Sequence, residues 1–152
     1  MTPLRQHILI AAGGSAALLL GALWFQYVMG LPPCKLCIWQ RWPHVIAVLI
    51  GLVVLATGQR VLAWAGALAA ATTAGIGLYH TGVERGWWEG PATCTSSGTA
   101  GMSADDLFNK IMNAPLIRCD EVAWSLFGLS MASWNAIAAL ILALIWVRAA
   151  RS

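Results

Sequence analysis

Charged side chains are scarce in this chain of 152 residues: only 10% are Asp, Glu, Lys or Arg, whereas 59% are apolar. Soluble globular domains carry about a quarter charged residues, so the composition excludes an ordinary soluble protein. It also excludes disorder, because disordered chains are poor in apolar residues and rich in charge. The nine basic residues form no dense tract. We therefore expect no nucleic-acid partner.

Long stretches of the sequence contain no charged residue at all. They cover residues 6–33, 42–59, 61–83 and 122–147. A helix that spans a bilayer needs roughly 17–25 mostly apolar residues, so each stretch is long enough. We predict an all-α integral membrane four-helix bundle with spans at about 8–29, 43–58, 61–80 and 131–147. A cleaved signal peptide is the alternative interpretation of the first stretch.

The positions of the basic residues indicate the orientation. With four spans both termini lie on one side, which carries no carboxylate and holds Arg5, Arg60, Arg148 and Arg151. By the positive-inside rule that side is cytoplasmic. The loops 30–42 and 81–130 then lie on the opposite side. Tryptophans cluster near the predicted boundaries, including Trp64 and Trp146 near the inner one, as an interfacial belt would.

The longer outer loop contains the signature of a short amphipathic helix over residues 103–112. Ser103 and Asp106 have the spacing of a capping box, and Pro115 ends the pattern. The apolar residues of one face are Leu107, Phe108, Ile111 and Met112. This face either lies on the membrane or packs on the helix ends, and both interpretations stay open.

The chemistry must come from the cysteines, which are Cys34, Cys37, Cys94 and Cys119. All four are predicted on the outer side, where thiols tend to form disulfides, and the sequence leaves three pairings open. A CxxC such as Cys34–Cys37 occurs in redox and in metal sites. A four-cysteine zinc site is disfavoured because Cys94 and Cys119 are far apart in sequence. We therefore expect no bound metal.

Cys37 has surroundings that favour a reactive thiolate. The second helix is expected to begin directly after Cys34, so Cys37 lies near a helix N-terminus, where partial positive charge stabilises an anion. Arg41 follows one helical turn later and adds a full charge on the same face. The alternative is a structural disulfide, with Arg41 extended toward the lipid headgroups.

Several segments, in this order along the chain, resemble the disulfide bond formation protein B (DsbB) family. They are Leu23-Trp24-Phe25-Gln26, Pro33-Cys34-x-x-Cys37-Ile38 with Arg41, Pro91-Ala92-Thr93-Cys94, and Cys119-Asp120-Glu121 followed by Trp124 and Phe127-Gly128-Leu129. The resemblance implies an enzyme of the bacterial inner membrane with its cysteines on the periplasmic side. Such an enzyme reoxidises a periplasmic DsbA-type dithiol oxidant and passes the electrons to ubiquinone or menaquinone, as is known of this family.

The resemblance also implies roles for individual residues. Cys94 and Cys119 would take electrons from the partner, and Cys34 and Cys37 would deliver them to the quinone. Cys37 would face the quinone ring.

Arg41 and His80 would bind the quinone. His80 can hydrogen-bond a quinone carbonyl, although a purely interfacial histidine is an equally open interpretation. Two rival functions stay open. One is a soft-metal membrane transporter that uses the cysteine pairs as ligands. The other is a relative of the vitamin K epoxide reductases, which would use a similar four-helix quinone site but should carry a CxxC late in its last helices, which this chain lacks.

Overall fold

The computed structural model describes residues 2–91, 103–105, 108, 112 and 118–152. Four long helices dominate these residues: α1 (Pro3–Tyr27), α2 (Lys35–Thr57), α3 (Ala63–Glu84) and α4 (Met131–Arg151). Each is long and apolar enough to cross a membrane, α3 together with the 3₁₀ turn Arg60–Leu62 that precedes it. The predicted all-α four-helix membrane bundle is thus confirmed. The predicted helix at 103–112 lies mostly outside the described residues, as does Cys94.

Helix α2 begins at Lys35, well before the predicted span at residue 43. Cys34 is the reason, because its sulfur caps the helix by accepting a hydrogen bond from the Cys37 N–H at 3.2 Å. Helix α3 likewise continues past the predicted boundary at residue 80 to Glu84. The helices are therefore longer than the predicted spans, and the positions of the membrane boundaries stay predictions.

A two-stranded hairpin leads into α4. Strand β1 (Ser125–Leu126) pairs antiparallel with β2 (Leu129–Ser130). The two residues of the turn, Phe127 and Gly128, have φ values of 52° and 76°. Positive φ at both central positions is the geometry of a type I′ turn, whose twist matches that of the strands. Ser130 then caps α4 by accepting a hydrogen bond from the Ser133 N–H at 3.2 Å.

Small residues allow the helices to approach closely around Trp146. A Cβ atom placed on Gly66 would lie 2.5 Å from the Trp146 ring, and one on Gly51 would lie 2.4 Å from the Ala12 Cβ. Trp146 is fully buried. Its predicted place in the interfacial belt is therefore wrong, because the glycines leave room for its ring inside the bundle. Trp64 is 48% exposed and fits the belt.

Candidate active site

The CxxC motif lies at the N-terminal end of α2. Cys34 and Cys37 are free thiols whose sulfur atoms are 2.8 Å apart. The Cys34 thiol donates its hydrogen bond to Cys37, and this contact, together with burial, raises the pKa of Cys34 above its ordinary value. When the pair loses one proton, Cys34 therefore keeps the remaining proton and the negative charge falls on Cys37.

Cys119 packs beside this pair. It is 1% exposed and forms a buried cluster with Cys34, Leu36 and Val83, on which Cys37 also packs. Cys119 is itself disulfide-bonded. The fold thus brings three of the four predicted catalytic cysteines together, whereas the fourth, Cys94, lies outside the described residues.

The segment around Cys119 has an ion pair within it and a ring contact with α1. Arg118 forms an ion pair with Asp120 at 2.6 Å, and this hydrogen bond holds the pKa of the Asp120 carboxyl below its ordinary value. Further along, the Trp124 ring lies against Phe25 of α1, with 5.0 Å between the ring centroids. The segment therefore forms a wall between α1 and the cysteines.

Arg41 is oriented by helix α1. Its Nη1 donates a hydrogen bond to Gln26 Oε1 at 2.6 Å, and its Nη2 donates to the Ala22 carbonyl at 3.4 Å. In the described part of the chain, no carboxylate lies within ion-pair distance of Arg41. Among the described residues, the guanidinium thus forms hydrogen bonds to α1 and no ion pair. Gln26 had no predicted role, although it lies in the first segment of the family resemblance.

A cavity of about 460 Å³ joins these groups. Its walls are mostly apolar and include Leu18 and Phe25 of α1 and Trp134 of α4. Cys37 and Arg41 supply polar groups on the α2 side. A mostly apolar cavity with a few placed polar groups is typical of a small-molecule site.

His80, near the end of α3, contacts the dithiol directly. Its Nε2 lies 3.6 Å from Cys34 Sγ and 3.8 Å from Glu84 Oε1, and its Nδ1 lies 2.9 Å from Gln40 Nε2. The side chain is 3% exposed. The donor atoms of Cys34, Cys37 and His80 all lie within 4.8 Å of one another, a spacing that can hold a metal ion.

Glu84, the last residue of α3, contacts the residue that caps α4. Its carboxylate accepts a hydrogen bond from the Ser130 hydroxyl, and its side chain is 7% exposed. Sequence reasoning did not single out Glu84, because it belongs to a run of charged residues at the predicted helix end. A polar contact that depends on the hairpin cannot be read from spacing alone.

A buried polar network extends the site into the bundle. Asn135 Nδ2 donates to Gln40 Oε1 at 2.8 Å, and Asn135 Oδ1 lies 3.0 Å from His44 Nε2. His44 is 2% exposed and lines the cavity. Polar residues inside membrane bundles commonly mark substrate pathways. An asparagine within the apolar stretch 122–147 was the signal that could have revealed this network.

Comparison with known proteins agrees with the site. The sequence profile described as "Disulfide bond formation protein DsbB" matches residues 4–149. A "Disulfide bond formation protein B" from Shewanella sp. (strain MR-4) is 34% identical over 140 residues, which cover 88% of this chain and 79% of the relative. One of the same name from Stutzerimonas stutzeri (strain A1501) is 32% identical over 142 residues, covering 86% and 85%. No solved structure matches the chain. The chain therefore belongs to the DsbB family of membrane proteins, the disulfide-forming oxidoreductases.

Proposed function

We propose that the protein is a thiol:quinone oxidoreductase of the bacterial inner membrane. It reoxidises a periplasmic DsbA-type dithiol oxidant by disulfide exchange and passes the electrons to a membrane quinone. The main support for this proposal is a cavity whose lining includes the Cys34–Cys37 pair and Arg41 together with apolar side chains of α1 and α4.

The residues around the cavity fit a quinone, ubiquinone or menaquinone. Its walls suit an apolar ring, and Arg41 offers hydrogen-bond donors to a carbonyl oxygen. His80 also lines this cavity, at its thiol end. When bound, the quinone supplies a two-electron acceptor that dissolves in the bilayer. A strong oxidant is required, because the DsbA couple has a known potential of about −120 mV.

The packing of Cys119 against Cys34 supports a relay of disulfides. Since Cys34 and Cys37 are free, we assign Cys94 as the disulfide partner of Cys119. A thiolate of the partner protein attacks Cys94, which breaks the bond to Cys119. The released Cys119 thiolate attacks Cys34 of the oxidised α2 pair, and the electron pair of that bond passes to Cys37.

Arg41 has an electrostatic role in this proposal. Its guanidinium stabilises the Cys37 thiolate and the negative charge that develops on the acceptor oxygen. Fixed charge aimed at developing charge in a site shielded from water is a strong catalytic device.

The proposed orientation places the cysteines in the periplasm and both termini in the cytoplasm. It is supported by the contacts that gather the start of α2, the end of α3 and the start of α4 at one end of the bundle. Arg151, at the end of α4, lies over the Trp64 ring near the start of α3, 5.9 Å from its centroid. The four arginines of the predicted cytoplasmic side thus fall at the end opposite to the described cysteines, as the positive-inside rule requires of a cytoplasmic face.

A soft-metal transporter is the second candidate. The cluster of Cys34, Cys37 and His80 donor atoms favours it, because two sulfurs and an imidazole suit a soft cation. A transporter would retain stoichiometric metal after purification and would not reduce quinone.

The deciding experiment mixes purified protein with a reduced DsbA-type dithiol and a quinone under anaerobic conditions. We expect quinone absorbance to fall in step with oxidation of the dithiol, and Cys37→Ser to abolish both. Gln59→Leu is a matched control, because Gln59 is exposed at the turn between α2 and α3. No change in quinone absorbance with active partner would refute the proposal.

A further inference from the structure

The hydrogen-bond directions around Gln40 are fixed by a backbone carbonyl. Thr73 Oγ1 lies 2.9 Å from the backbone carbonyl oxygen of Gln40. Because a carbonyl can only accept, the Thr73 hydroxyl is the donor of this hydrogen bond. Thr73 must then accept a hydrogen bond from Asn135, whose amide group at 3.2 Å is therefore Nδ2. The same Nδ2 faces Gln40 Oε1 at 2.8 Å.

Because Oε1 of the Gln40 amide faces Asn135, the amide atom that faces His80 must be the nitrogen, Nε2. A second carbonyl requires the same orientation independently, because Gln40 Nε2 donates to the Leu36 oxygen at 3.2 Å. This nitrogen lies 2.9 Å from His80 Nδ1. His80 Nδ1 is thus an acceptor, and the single ring proton of the neutral imidazole is on Nε2.

We propose that Gln40 is a positioning residue, which holds His80 in the tautomer whose Nε2–H donates a hydrogen bond to the Cys34 sulfur. The sulfur lies 3.6 Å from Nε2. The nearby carboxylate oxygen of Glu84, at 3.8 Å, is farther away, and Glu84 also accepts from Ser130. The Cys119 backbone also hydrogen-bonds the His80 ring, and since a carbonyl only accepts, the Nε2–H is shared between this carbonyl and the Cys34 sulfur.

This donor matters when the Cys34–Cys37 disulfide closes. Cys34 must lose its proton to solvent, its sulfur bonds to Cys37, and the electron pair passes to the quinone of the proposed function, which would take up two protons from solvent to become the quinol. A hydrogen bond to sulfur stabilises the Cys34 thiolate that forms in this step. This consequence rests on the proposed function, whereas the tautomer itself does not.

One substitution should reverse the direction of the hydrogen bond between residue 40 and His80 Nδ1. In Gln40→Glu a carboxylate, which accepts only, replaces the donating amide. His80 would then place its proton on Nδ1 and present a lone pair to Cys34. Gln40→Leu removes the partner of Nδ1 altogether. The Nε2–H tautomer of His80 also disfavours the soft-metal transporter, because a ring nitrogen that carries a proton cannot be a metal ligand.

The tautomer can be measured directly by nitrogen-15 NMR of histidine-labelled, reduced protein in micelles. We expect His80 to carry its proton on Nε2 in the unaltered chain and on Nδ1 in Gln40→Glu. His80→Asn assigns the resonances. His44, whose Nε2 faces Asn135 Oδ1, is an internal control for folding and should not change.

The consequence for Cys34 is measured by its alkylation rate at fixed pH in a Cys37→Ser background. We expect Gln40→Leu to slow alkylation about tenfold, since hydrogen bonds to charged groups are strong. Gln59→Leu should have no effect.

A proton on Nδ1 in the unaltered chain would overturn the proposal. An Nε2 proton that persists in both Gln40 variants would also overturn it. So would a Cys34 alkylation rate that stays the same when the tautomer changes. Because neither measurement uses quinone, failure here is distinguishable from failure of the proposed oxidoreductase activity.

Discussion

Replacing Gln26 by Leu should impair quinone reduction although Gln26 lies on a different helix from the cysteines. Its side-chain oxygen accepts the 2.6 Å hydrogen bond from Arg41 Nη1. Leucine keeps a similar volume and removes that acceptor, which leaves only the longer contact of Arg41 with the Ala22 carbonyl at 3.4 Å. The guanidinium is then free to turn toward the lipid headgroups.

The magnitude follows from the kind of hydrogen bond. Bonds to a charged group contribute about 1.5–3 kcal/mol, and the lower figure applies here because the pair is only partly buried. About 1.4 kcal/mol corresponds to a tenfold change in rate. We therefore expect kcat/KM for quinone to fall about tenfold in Gln26→Leu. Arg41→Ala should lose about 100-fold to 1000-fold, as is typical when an electrostatic donor is removed.

A double-mutant cycle distinguishes positioning from an independent effect. If Gln26 acts only through Arg41, Gln26→Leu adds nothing in the Arg41→Ala background. The assay is quinone reduction at saturating partner, with KM for quinone and kcat determined separately. Gln59→Leu controls for loss of an amide elsewhere. Additive effects of the two substitutions, or normal kinetics in a folded Gln26→Leu protein, would refute the positioning role.

Further predictions test the relay, the buried network and the orientation. Cys94→Ser should abolish turnover with the protein partner but leave a chemically reduced Cys34–Cys37 pair able to reduce quinone; full turnover with the partner would contradict the relay. Asn135→Leu removes three partly buried hydrogen bonds. Membrane double-mutant cycles average about 0.6 kcal/mol per bond, so the free energy of unfolding in micelles should fall by about 2 kcal/mol. A loss below about 0.5 kcal/mol would show that the network contributes little. A reporter that is active only in the periplasm should be inactive when fused after Ser152, and activity there would overturn the orientation.

The fold could be predicted because charge and apolarity act over whole helices. A stretch without charge that is long enough to cross a bilayer has few alternatives, and four such stretches give the bundle. The bounds were less accurate, because the cap at Cys34 and the extension to Glu84 depend on single side chains at the site.

The site was predictable only where the sequence is locally distinctive. The spacing of Cys34, Cys37 and Arg41 identifies one end of α2, and the family resemblance adds His80. Gln26 and Asn135 come from other helices, and their contacts with α2 depend on how the helices pack. Periodicity does not determine which polar side chains meet across a bundle.

Helix α1 shows why apolarity alone could not locate the cavity. Its first half packs inside the bundle, where Ile8, Ala11 and Ser15 are buried. Its second half, which includes Leu18, Ala22 and Phe25, lines the cavity instead. Both halves are rich in apolar residues, but they meet different neighbours. The first half lies at the end where glycines admit Trp146 and the helices close together. The second half faces the partly buried Arg41 side chain and the wall formed by Trp124, which hold space open beside the thiols.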